Sequence, residues 1–132
     1  IPNNAVITSV KLRIKSMILS TTTYTRLGEM TADIMNPYFG TSAALQNQDF
    51  EAPALVKNVG TFTHAPTFYK WISMNVNPTA FNAINLTGTT QFRLHFQRRY
   101  YNDNIKQMLR FLSGDFWIPS DFPILVIEYY IP

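Results

Sequence analysis

The sequence predicts an all-β fold, an antiparallel β-sandwich of jelly-roll-like shape with short helical turns in the crossovers. Apolar and polar residues alternate in several runs, as a half-buried antiparallel strand requires. No stretch has the sustained 3.6-residue period of a long helix. A chain of 132 residues is one domain by size and is long enough to bury a sizeable core. Residues 1–132 are therefore expected to form a single domain.

The first predicted strand runs from Val6 to Leu19. Val10, Leu12 and Ile14 are expected to point inward, and the Lys and Arg residues between them outward. A basic stripe of this kind is typical of the wet face of a sheet, and we favour that interpretation over a polyanion site.

The next elements are shorter. Thr21 to Tyr24 is β-prone and ends at Gly28, and Met30 to Met35 is a short strand that stops at the turn dipeptide Asn36-Pro37. Gly40 to Gln48 shows no alternation, which predicts a single helical turn or an ordered loop.

The second half begins with a helix signal and ends in strands. Asn77-Pro78 resembles a helix N-cap followed by proline at the first helical position, which predicts one or two turns through Ile84. Gln91 to Gln97 alternates as a strand, with its aromatic and leucine side chains on one face. Ile124 to Ile131 is hydrophobic and lacks glycine, so it is a candidate for a ladder shared between modules.

Composition narrows the class of protein. Charged residues are 14% of the chain, well under the roughly 25% of ordinary soluble domains, which favours a secreted, extracellular protein at the cell surface. The net charge of +3 is modest and does not imply nucleic acid. Cysteine is absent, so the fold must depend on packing, ladders or a hard ion. No apolar stretch is long enough to span a bilayer, and we expect a processed or excised piece of a longer chain.

The case for catalysis is poor, and we predict that the chain is not an enzyme. His64 and His95 are its only histidines, and no nucleophile, zinc or phosphate-loop motif accompanies either. Asp49 and Glu51 could in principle form a glycosidase pair. A solvated surface pair is the better interpretation, because no supporting motif is present.

Calcium is a better candidate than catalysis. Hard cations take carboxylate, amide and backbone oxygens from loops, and such groups flank one predicted strand. The candidate ligands are Asn102, Asp103, Asn104 and Asp115, with Asp33 and Asp121 as further candidates. Asn-Asp-Asn is also an ordinary turn sequence, so both interpretations stay open.

Aromatic side chains are the candidates for sugar binding, because a ring face can stack on a pyranose. The candidate ligand-binding residues are Tyr69, Trp71, Tyr100, Tyr101 and Trp117. Tyr69 and Trp71 are expected to share a face, as a binding platform or as core, and we favour core. Trp117 and the Tyr100-Tyr101 pair fall in predicted loops and are the better surface candidates.

Three motifs together resemble a known family. They are the Ile1-Pro2 strand through Leu12, the T-G-T-T-Q-F-R-L run from Thr87, and Ser113-Gly114-Asp115. The chain resembles the DNRLRE-type domains grouped with carbohydrate-binding module family 96, which are β-sandwich modules of secreted bacterial and archaeal proteins. The resemblance covers nearly the whole chain, and its S-G-D motif adds to the calcium prediction.

The chain departs from that family in two places, and the first departure predicts an open sheet edge. Family domains usually have a strand-rich segment ahead of the I-P motif, and many have an acid-rich loop where this chain has Arg98 to Tyr101. A missing strand would leave an open sheet edge that a neighbouring copy or repeat could fill. The alternative is that the upstream residues were cut away or are disordered, and the two interpretations stand equal. The expected function is a non-catalytic building block of a surface fibre, filament or stalk, with a polysaccharide-binding module as the alternative.

Overall fold

The computed structural model describes residues 1–19, 22–64, 68–99 and 104–132. This part of the chain is all-β, with antiparallel sheets and few helical residues. In chain order the strands are β1 (Val6–Leu19), β2 (Met30–Met35), β3 (Lys70–Asn75), β4 (Gln91–Phe96), β5 (Leu109–Phe111) and β6 (Ile124–Tyr130). The predicted bounds of β1 and β2 are confirmed, and β4 ends one residue before the end of the predicted alternating run.

The large sheet contains four strands and is built around β1. β3 pairs with one edge of β1, from Lys11 to Ser16. The opposite edge is shared, because β6 pairs with Val6 to Arg13 and β5 with Ser16 to Leu19. The 14-residue length of β1 is what allows one strand to hold three partners.

The small sheet contains β2 and β4. The other edge of β2 is covered by the irregular segment 55–62, in which the backbone N–H groups of Val59 and Phe62 donate to the carbonyls of Ala32 and Met30 at 2.8 and 2.9 Å. Just beyond it, the N–H of Thr63 donates to the Ser73 carbonyl of β3 at 2.9 Å. This stretch therefore connects the small sheet to the large one.

The core takes side chains from both sheets. Inward residues of β1 and β3 are almost fully buried, as are those of β2, while Phe92, Leu94 and Phe96 of β4 pack against them. The buried set is Val10, Leu12, Ile14, Met30, Ala32, Ile34, Val59, Phe62, Ile72, Met74, Val76, Ala80, Ala83 and Ile84. The alternation predicted for β1 and β4 is thus confirmed.

The short helix α1 (Thr23–Leu27) corrects the sequence prediction. Thr23 and Tyr24 were expected to be strand-like, but the N–H of Gly28 donates to the Tyr24 carbonyl at 2.9 Å and closes a helical turn. Thr23 is fully buried, and its hydroxyl donates to the Met108 carbonyl at 3.3 Å. This long-range contact outweighs the local β-propensity of threonine.

Short 3₁₀ turns occupy the crossovers, as predicted. Pro78–Ala83 begins with proline after Asn77 and packs Ala80 and Ala83 into the core. Asn47–Phe50 begins near the end of the predicted turn region, and Pro119–Asp121 precedes β6. Among the described residues, no helix is long and apolar enough to cross a membrane.

Candidate functional site

The C-terminal strand presents large apolar side chains to solvent. We call the following six residues the β6 surface: Ile124, Leu125, Val126, Tyr129, Tyr130 and Ile131. All six are substantially exposed, although β6 is part of an ordered ladder with β1. A contiguous exposed apolar patch on a soluble protein is typical of an interaction site.

The inner-face residues of the β6 surface, Leu125 and Tyr129, are exposed because the core covers the inner face of β6 only at Ile127. Leu125 lies directly opposite Leu12 in the ladder, so the two side chains share the inner face of the large sheet. Leu12 is buried, whereas Leu125 is 41% exposed. The side chains that cover β1 therefore do not extend far enough to cover its neighbour.

One edge of β6 also has no backbone partner within residues 1–19, 22–64, 68–99 and 104–132. β6 pairs with β1 alone, and no described loop donates to it or accepts from it on the other side. An edge with unpaired N–H and C=O groups is a template for the addition of another strand. The strand is thus open along one edge and apolar on both faces.

The predicted aromatic residues are not brought together. Trp117 is 81% exposed in the loop after β5, with its ring 5.8 Å from that of Phe116. Its predicted surface position is confirmed. Tyr69 is exposed, but it has a positive φ of 54° and precedes β3, so it does not lie in a strand beside Trp71. Tyr100 and Tyr101 lie outside the described residues.

Trp71 lies on the outer face of the large sheet, so our core interpretation of this residue is wrong. Its strand neighbours Ile72 and Met74 point inward, and Trp71 faces Lys15 across the ladder. The Arg13 guanidinium lies 4.8 Å from the centre of the indole ring, within the range of a cation–π contact. Basic side chains therefore cover this ring on the outer face.

The predicted calcium ligands are described only in part. Asn102 and Asp103 lie outside the described residues, while Asn104 and Asp115 are exposed. Asn104 has a positive φ of 56°, as its turn interpretation allows. Among the described residues, no group of three His, Cys, Asp or Glu side chains is placed to hold a metal. Calcium at these asparagine and aspartate residues stays a prediction.

The two further carboxylates that we considered for calcium each face a cationic side chain. Asp121 accepts from the Lys15 ammonium at 2.7 Å. Asp33 accepts from the Arg93 guanidinium at 2.7 Å and lies 3.1 Å from Nε2 of His95. Both carboxylates are therefore already paired by resident side chains.

Asp33 and Arg93 form a clamp on the polar face of the small sheet. They are directly opposite in the β2–β4 ladder, and Nη1 of Arg93 donates to the carbonyls of Asp49 and Ala52 at 2.7 and 2.8 Å. The N–H of Asn58 also donates to Asp33, at 3.0 Å. The clamp thus holds the loop 49–58 against the sheet.

The charge of Asp33 is stabilised in this position. Burial raises the pKa of the Asp33 carboxyl. Hydrogen bonds from Arg93, the Asn58 N–H and His95, together with the charge of His95, lower this pKa by more than burial raises it. The net pKa lies below the ordinary value of 3.8. Asp33 therefore stays ionised beside Arg93 at neutral pH.

A groove of about 520 Å³ lies over this clamp, with Lys57, Arg98 and Arg99 on its rim. Arg99 is paired with Glu51 at 2.8 Å. The donors of Arg93 on its floor are already used by Asp33 and the loop carbonyls. We therefore interpret the floor of the groove as structural, and regard the β6 surface as the better candidate for function.

Comparison with known proteins gives no relatives: no family model, no curated protein and no solved structure matches the chain.

Proposed function

We propose that this chain is a non-catalytic extracellular structural module, a building block of a surface fibre, filament or stalk, which pairs with neighbouring copies along β6. The observation that carries the proposal is the β6 surface, which is apolar on both faces and open along one edge. Backbone pairing with a further strand would satisfy that edge and bury those side chains together. The low charge of the chain supports an extracellular location.

The proposal includes a finer description of the fold. We take the two sheets to be the layers of a jelly-roll-like β-sandwich, similar to DNRLRE-type domains. The shared core supports this, because inward side chains of the large sheet and of the small sheet belong to one buried cluster. Strands added at β6 would extend the large layer from one module to the next.

The test measures assembly by analytical ultracentrifugation and electron microscopy. The variant Leu125→Lys with Tyr130→Lys puts one lysine on each face of the edge strand, a substitution that natural proteins use to block strand addition. We expect wild-type protein to form dimers or filaments and the variant to stay monomeric with an unchanged fold. The charge-matched control, Thr25→Lys with Thr79→Lys, changes two exposed residues outside the strands and should assemble like wild type. Monomeric wild-type protein over a wide concentration range would rule out the proposal.

A polysaccharide-binding module is the second candidate, and the exposure of Trp117 favours it. An indole that is 81% exposed can stack on the apolar face of a sugar ring. If this is the function, Trp117→Ala should abolish binding on a glycan array, and Leu45→Ala, which removes another highly exposed apolar side chain, should leave it unchanged. Absence of any glycan binding by wild-type protein would remove this candidate.

A further inference from the structure

The backbone groups of β1 alternate between its two edges. The Val10 carbonyl accepts from the N–H of Val76 at 2.9 Å, on the β3 side, and the Lys15 carbonyl accepts from the N–H of Leu112 at 3.0 Å, on the β5 side. In an antiparallel ladder the N–H and C=O of one residue point to the same edge, and successive residues alternate. Lys11 and Arg13 therefore point toward β6.

The register of the β1–β6 ladder then fixes which groups of β6 are free. Lys11 pairs with Val126, and Arg13 pairs with Ile124. These two residues of β6 consequently turn their N–H and C=O groups toward β1. The alternate residues Leu125, Ile127 and Tyr129 turn theirs away, so they carry the donors and acceptors of the open edge.

This open edge is complementary to itself. If two copies of β6 run antiparallel with Ile127 facing Ile127, then Leu125 of each copy faces Tyr129 of the other. Each such pair exchanges two hydrogen bonds, so the three pairs form about six. Their side chains share the inner face, where Leu125 and Tyr129 are 41% and 42% exposed, so this register buries apolar surface as well.

The charges of β6 are compatible with the same register. Glu128 is the single charged residue of the strand, and it would face Val126 of the second copy. Like charges directly opposite each other destabilise a ladder, and this register avoids such a pair. By contrast, β4 has Arg93 and His95 on its outer face, and β5 is only three residues long. Of β4, β5 and β6, the strand that best matches the open edge is β6 of a second copy.

We propose that the neighbour at β6 is a second copy of this chain, joined through β6 to β6 about a two-fold axis that passes beside Ile127. This inference rests on the proposed function and specifies its contact. The two large sheets become one continuous eight-stranded sheet. A two-fold contact uses the same surface on both copies, so growth of a filament requires a second, different contact.

Cysteine crosslinking tests the register directly, because the natural chain has no cysteine. In Ile127→Cys the two new residues face each other in a hydrogen-bonded pair, with Cα atoms about 5.5 Å apart, which suits a disulfide. We expect a covalent dimer as the major species under mild oxidation. Leu125→Cys and Tyr129→Cys should each stay uncrosslinked alone and should give a heterodimer when mixed. Leu45→Cys, at a residue that is 85% exposed, measures random collision.

The outcomes separate the contact from the function. If wild-type protein assembles but Ile127→Cys crosslinks no faster than Leu45→Cys, and the mixture gives no heterodimer, the two-fold register is wrong and the proposed function stands. If wild-type protein does not assemble, both fail. Ile127 packs against the core, so Ile127→Cys could fail to fold. In that case the mixture of Leu125→Cys with Tyr129→Cys decides the register.

Discussion

The small sheet and the β6 surface differ in how completely they are covered. The small sheet has the core on one face, the clamp and the loop 49–58 on the other, and the segment 55–62 along the free edge of β2. Within the part of the chain that the structure describes, β6 has one strand partner, a partly covered inner face and an open edge. The small sheet is thus covered on both faces, whereas β6 keeps exposed apolar side chains on both of its faces.

This difference assigns separate roles to the two regions. Contacts across the small sheet join distant parts of the chain, so substitutions there should unfold the protein. The side chains of the β6 surface are largely exposed within one copy, so replacing them should alter assembly while the fold persists. The following predictions test that separation.

The largest effect is expected from Arg93→Met, which removes the cation of the clamp. Asp33 would keep its charge in a buried position without its partner, and breaking a buried pair in this way costs about 3–5 kcal/mol. Chemical denaturation monitored by circular dichroism measures the loss. Arg110→Met, the same substitution at an exposed position of β5, is the control and should cost less than about 0.5 kcal/mol. Equal losses in both variants would show that the clamp does not stabilise the fold.

A smaller loss is expected from Gly60→Ala, in the segment that connects the sheets. A methyl group at residue 60 would collide with the Asn75 carbonyl oxygen and the Met74 side chain. Overpacking of this kind costs about 1–3 kcal/mol. Gly114→Ala is the matched control, since nothing lies within 4 Å of its added methyl group. A Gly60→Ala melting temperature equal to that of the control would mean that the two backbones can move apart freely.

Local pattern predicted the strands because burial on one face imposes a period of two residues. β1 and β4 could be located from this period, together with their core faces, and β2 was located from the break at Gly28 and the turn dipeptide Asn36-Pro37. The proline at the start of Pro78–Ala83 predicted that turn, because its fixed φ suits the first helical position. These features depend on a few adjacent residues, so the sequence contains them.

Long-range pairing could not be predicted in the same way. The Asp33–Arg93 clamp joins residues 60 positions apart, and it depends on β2 and β4 being neighbours in one register. The sequence indicated Ile124 to Ile131 as a candidate for a shared ladder, but it could not show that these side chains are exposed, because a short apolar run reads the same whether it is buried or exposed. An opposite-charge pair at matching positions of two predicted strands is the signal that could have identified the clamp.

The clamp should also make stability depend on pH. The pKa of Asp33 is lower in the folded protein than its ordinary value of 3.8. A group of this kind contributes stability above its unfolded pKa, and the contribution is lost as pH falls through the folded value. We expect the melting temperature of wild-type protein to fall below about pH 4. Asp33→Asn should have a lower melting temperature at neutral pH and a shallower fall of melting temperature in acid. The control Asp115→Asn, at an exposed residue, should match wild type. Identical acid slopes in all three proteins would contradict this assignment.

The smallest effect on folding, together with a complete loss of assembly, is expected from Leu125→Pro. Proline lacks an N–H and blocks a ladder only on the edge toward which that N–H points. At residue 125 this is the open edge, so pairing with β1 survives and stability changes by about 1 kcal/mol.

Val126→Pro is the matched control one residue away, where the N–H points to Lys11 of β1. It should destabilise the monomer by about 3 kcal/mol, the scale of a lost ladder bond and steric conflict. If the two variants exchange these effects, the alternation that we assign to β6 is reversed and the open edge belongs to Ile124, Val126 and Glu128.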